Sequence, residues 1–70
     1  MVVNRNVLLC AMVLKGMNNR TLAETSGISI NQINNIRKGR GTTFETANKI
    51  ANALGITFNV LINGEVTIDD

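Results

Sequence analysis

Residues 19–39 read NRTLAETSGISINQINNIRKG. Two short runs suited to helix, NRTLAETS and INQINNIRK, flank Gly27, Ile28 and Ser29. Asn18 stands where an N-cap is needed, Leu22 and Ala23 face inward, and Gly27 ends the first run. Ser29 with Gln32 three residues later spells a capping box, in which the serine hydroxyl accepts from the Gln32 amide and the glutamine reaches back. The second run extends to Lys38, since Arg37 and Lys38 suit the negative end of a helix dipole and Gly39 closes it. Two helices joined by a glycine turn make a helix-turn-helix unit, with Leu22, Ala23, Ile28, Ile33 and Ile36 as its apolar contacts. The turn predicts a positive φ at Gly27.

The other side of the second helix is unusual. Four of the residues between Ile30 and Asn35 are Asn or Gln and none is acidic. With Ile33 and Ile36 inward, the helical step places Ile30, Asn31, Asn34 and Asn35 on or near the opposite face. Asparagine is a poor helix former, and a merely soluble face usually carries Glu and Lys. An α-helix fits the major groove of DNA, where an amide pairs with adenine and Ile30 meets a thymine methyl. Ile30, Asn31, Asn34 and Asn35 are therefore the candidate base readers, Gln32 being claimed by the cap. Arg37, Lys38 and Arg40 on one flank, and Asn18, Asn19 and Arg20 on the other, are candidate phosphate contacts. The plain alternative for each is a solvated polar surface.

Charge distribution points the same way. The net charge is only +2, but Lys15, Arg20, Arg37, Lys38 and Arg40 face Glu24 alone between residues 15 and 40, a local +4, leaving −2 elsewhere. A positive centre fits a polyanion. Seventy residues allow one domain, residues 1–70, too small for a catalytic cleft of its own. With 3% aromatic residues and no Trp, the core falls to Ile, Leu, Val, Ala and Met. No His is present and the five carboxylates are scattered, so neither an enzyme, a metal site nor a cofactor is supported. Cys10, within VLLCAMVL, reads as a core thiol, and a single cysteine fits the cytoplasm. That run is too short to cross a membrane, and Met1 to Asn6 lacks the features of an export signal.

Outside the central unit, Asn4 or Asn6 caps a first helix through VLLCAMVLK that stops at Gly16. Its apolar residues cover more than one face, so either some of Leu9, Met12 and Val13 lie in a subunit interface or the helix is buried more deeply than usual. Thr42 or Thr43 starts a fourth helix, Thr42 and Glu45 having capping-box spacing. Phe44, Ala47, Ile50, Ala51 and Leu54 form its apolar stripe, ended by Gly55. ITFNVLI alternates and is β-branched, and Asn63-Gly64 could turn it into EVTI, so local pattern favours a strand there.

Several of these pieces occur together: Leu22-Ala23, GIS at 27–29, Ile33, Gly39, ALG at 53–55 and VLING at 60–64. From Lys15 to Gly64 the chain resembles the Cro and lambda-repressor-type helix-turn-helix domains, the XRE family. The resemblance implies an all-α, five-helix domain with the third helix in the major groove, bound as a homodimer to near-palindromic double-stranded DNA. It turns LGITFNVLING into a fifth helix, with Thr57 capping and Phe58, Leu61 and Ile62 packing, often at the dimer contact. EVTIDD becomes a tail or an intersubunit strand. By position, Ile30, Asn31 and Asn35 match base-reading sites, and Asn19 matches a frequent Gln that touches a phosphate and braces the recognition helix. The chain departs from the family in Asn18-Asn19 for the commoner Ser-Gln, in Arg37-Lys38 where an acid often precedes Gly39, and in a first helix that lacks the usual charged residues. The expected function is a small phage or bacterial repressor acting in the cytoplasm. The alternative is an antitoxin-like subunit that holds a partner protein through the first helix or the C-terminal strand.

Overall fold

Each helix of this chain begins on a small polar residue whose side chain accepts a bond from the backbone N–H three residues on. In the computed structural model, which describes residues 1–64, these caps are Asn4, Asn18, Ser29, Thr43 and Thr57, with N···O distances of 3.2, 2.9, 3.2, 3.3 and 3.2 Å. Caps of this kind stabilise a helix by about 1 kcal/mol each, a large share for elements this short. They open α1 (Arg5–Leu14), α2 (Asn19–Ser26), α3 (Ile30–Arg37), α4 (Phe44–Leu54) and α5 (Phe58–Asn63). The described residues contain no strand, so the fold is all-helical. The expectation for EVTIDD lies outside the described residues.

The core draws on every helix. Leu8, Ala11 and Met12 of α1, Leu22 of α2, Ile33 and Ile36 of α3, Ala47, Ile50, Ala51 and Leu54 of α4, and Leu61 of α5 are buried together with Val3 and Ile28. A fully buried Leu or Ile contributes about 1.5–3 kcal/mol relative to exposure. α2 packs on α3 and α4, α4 on α5, and α1 on α3 and α5. Gly27 joins α2 to the turn at φ 74°, the conformation its place in the sequence requires. Ahead of α1, the Asn4 N–H donates to the Leu61 carbonyl at 2.9 Å and the Thr42 N–H donates to the Met1 carbonyl at 2.7 Å. The segment before α1 is thereby tied both to α5 and to the loop after α3.

One open reading is decided and several expectations are corrected. Phe58–Asn63 is helical, as the resemblance implied and against the local strand pattern: Thr57 caps it, Leu61 is fully buried, and Phe58 and Ile62 pack on the core. Burial on a helical spacing outweighs the lower helix propensity of β-branched residues, which costs only tenths of a kcal/mol per residue, roughly. Cys10 is exposed. It lies two residues from buried Leu8, a turn of about 200° around the helix, and so faces away from the core. Met12 is buried, whereas Leu9 and Val13 are exposed, as is Leu14. Phe44 is 57% exposed and meets the ring of Phe58 at 4.7 Å between centroids; as the first residue of α4 it overhangs the core. Thr43 caps α4, not Thr42, and its partner is Thr46, not Glu45. Of the Ser29 box only half forms, because the Gln32 carbonyl accepts from the serine hydroxyl at 3.3 Å instead of reaching the Ser29 amide.

Candidate nucleic-acid interface

Ile33 and Ile36 fix the roll of α3. Their exposures are 0% and 3%, and at about 100° per residue they turn Asn31 to the opposite side. Asn31 and Gln32 are exposed, Asn34 and Asn35 are half-buried, and Ile30 is 45% exposed. The four amides do not occupy equivalent places. The Asn31 side chain makes no hydrogen bond to the described residues. Gln32 and Asn35 line a polar cleft of about 270 Å³, shared with Gly41, Thr42, Thr43 and Thr46, where α3 faces the start of α4. Asn34 is turned toward α2, its side-chain oxygen accepting from Asn19 Nδ2.

Asn19 is the hinge between the two helices of the motif. Its oxygen accepts from Arg37 Nη1 while its nitrogen donates to Asn34, so the first residue of α2 holds two residues of α3. Asn18 is spent mainly on its cap: its oxygen takes the Thr21 N–H, and its own N–H donates to the Thr21 hydroxyl at 2.8 Å. The Asn18 amide nitrogen has no partner among the described residues. Arg20 lies 3.3 Å from Glu24, one turn on, with both side chains largely in water. Such a pair is worth only a few tenths of a kcal/mol, little hindrance to a stronger anion.

Lys38 and Arg40 are exposed just beyond α3. The backbone that carries them is well defined, Lys38 N–H bonding to Asn34 and Asn35 carbonyls and Arg40 N–H to the Asn35 carbonyl, each at 3.1 Å. Folding regroups the charges that sequence windows had assigned. Arg5, far away in the chain, brings its guanidinium to 3.7 Å from where a Gly39 Cβ would stand, and so joins the positive rim. Lys15 instead lies against Gly55, beyond the C-terminus of α4. No local signal marked Arg5; only the docking of α1 beside the Gly39 loop places it there.

The arrangement is a helix whose outward surface offers amide donors and acceptors, bounded by guanidinium and ammonium groups on the loop that follows it. Such a surface suits the edges of base pairs between two phosphate backbones. In comparisons with known proteins, residues 11–61 match the family model described as helix-turn-helix. No curated protein matches the chain.

Proposed function

The chain belongs to the Cro and XRE-type helix-turn-helix family of DNA-binding regulators, and from that premise we propose that it is a small phage or bacterial repressor that occupies an operator. The observation that carries this reading is the burial of Ile33 and Ile36, which leaves Asn31 outward with Lys38, Arg40 and Arg5 at the border. In the proposed complex α3 enters the major groove. Asn31 and Asn35 read base edges and Ile30 touches a thymine methyl. Lys38, Arg40 and Arg5 hold one phosphate backbone, and Asn18 and Arg20 at the start of α2 hold the other. Asn19 braces α3 through Asn34 and Arg37 while its remaining N–H points to the same backbone. The regulator acts in the cytoplasm by obstructing polymerase.

A homodimer completes the reading, since two copies set half-sites one helical turn, about 34 Å, apart. The exposed Leu9, Val13 and Leu14 of α1 support pairing through that helix, because α5 spends Leu61, Phe58 and Ile62 on the core. The same patch would serve an antitoxin-like subunit. Selection of bound duplexes from a random pool by the chain alone decides between them. The repressor reading expects a near-palindromic consensus; enrichment of no sequence, or binding only with a second protein, would overturn it.

A further inference from the structure

Asn19, Asn34 and Arg37 form a chain of hydrogen bonds with a direction. A carboxamide has a donor end and an acceptor end, whereas a guanidinium only donates. Arg37 therefore requires the Asn19 oxygen, and its Nη1 donates to that atom. The Asn19 nitrogen is then forced to the other side, where it donates to the Asn34 oxygen. What remains at the far end is the Asn34 NH2, which has no partner among the described residues. Turning either amide over would set donor against donor and lose a bond. All three residues are half-buried, so water competes less for these groups than on an open surface.

We propose that Arg37 sets the hydrogen-bonding polarity of the recognition surface, acting through Asn19 so that Asn34 holds its oxygen toward α2 and leads with its NH2 toward the DNA. This rests on the operator-binding reading above. It makes Arg37 a positioning residue rather than a plain phosphate contact. An Asn34 that leads with its NH2 favours a base-edge acceptor: guanine N7 or O6, adenine N7 or thymine O4. Asn31, free at both ends, suits the two-ended contact with adenine N6 and N7. Two asparagines three residues apart on one helix thus read different patterns, a distinction invisible in their identity and set by an arginine that need not touch a base.

Asn19→Asp tests this without altering the reader. An aspartate there still accepts from Arg37 but cannot donate, so Asn34 turns its NH2 inward and shows its carbonyl oxygen outward. Duplexes are selected from a random pool by the wild type, Asn34→Ala and Asn19→Asp, after far-UV spectra and melting have shown each variant folded. The expected result is one base-pair position per half-site at which Asn34→Ala loses its preference and Asn19→Asp changes it, by about tenfold in relative binding, the other positions being kept. Retention of the wild-type base by Asn19→Asp, or weaker binding by either variant with no altered position, would overturn the proposal. The free protein gives a second readout. Nuclear Overhauser contacts from the Arg37 guanidinium to the Asn19 side chain, and from the Asn19 amide protons to Asn34, are expected in the wild type. Their absence overturns the polarity chain while leaving operator binding intact. A wild type that enriches no duplex defeats the operator reading itself and this role with it.

Discussion

α1 and α3 are anchored alike and end with opposite surfaces. α1 buries Leu8, Ala11 and Met12, and α3 buries Ile33 and Ile36, in each case at helical spacing and against the same core. Outward, α3 carries Ile30 among amides, whereas α1 carries Leu9, Cys10, Val13 and Leu14 around shallow depressions of about 380 and 310 Å³. Val13 and Leu14 are 78% and 85% exposed. Amides in water are already satisfied and gain from a partner that matches their donors and acceptors; apolar surface gains about 25 cal/mol per Å² from any dry cover. One helix therefore asks for specificity and the other for contact. Inward residues decide which face is free, and the composition of that face decides what it is free for.

The sharpest way to break the comparison is to attack what the two helices share. Ile33→Ala should cost about 2–5 kcal/mol in urea unfolding, and Leu8→Ala should fall in the same range; a loss within error of zero at either would deny that the helix is anchored as described. The outward faces come next. Asn31→Ala should lose about 1–3 kcal/mol of discrimination at one base pair with unchanged melting, measured by competition between the selected duplex and its single-base variants. Gly27→Val probes the turn that aligns α3: at φ 74° a Cβ meets nothing within 4 Å, so the expected 1–2 kcal/mol, roughly, is backbone strain alone. Removing Lys38, Arg40 or Arg5 singly to alanine should flatten the slope of log affinity against log salt by about 0.9 each, on specific and random DNA alike. The smallest effect belongs to α1: Val13→Ser and Leu14→Ser should leave unfolding within about 0.5 kcal/mol of wild type while shifting sedimentation toward the monomer.

Much of this contrast was legible in the chain. α2 and its cap at Asn18, the turn at Gly27, the inward isoleucines of α3 and the cap at Ser29 follow from spacings of three and four, because those elements are short and their signals are local. Failures occurred where a residue's environment depends on distant parts. Cys10 has apolar neighbours in sequence, but neighbours in a helix lie on different faces. Phe44 has the right angular phase for α4's stripe yet lies past the end of the core, a matter of where the other helices stop. ITFNVLI alternates like a strand, and only the packing of Leu61, Phe58 and Ile62 selects helix, as the family resemblance anticipated. In the candidate site, Arg5 entered by tertiary docking alone. The separation of Asn34 from Asn31 arises from the Arg37 and Asn19 bonds, which residue type on one helix face cannot reveal.

The account depends above all on the amide side of α3 meeting duplex DNA. The most direct measurement follows side-chain amide signals of the isotope-labelled chain during titration with a duplex. The account predicts that Asn31 and Asn35 shift first and furthest, while Asn6, Asn52 and Asn59, exposed on α1, α4 and α5, stay in place. Shifts centred on those three, with Asn31 and Asn35 unmoved, would contradict it.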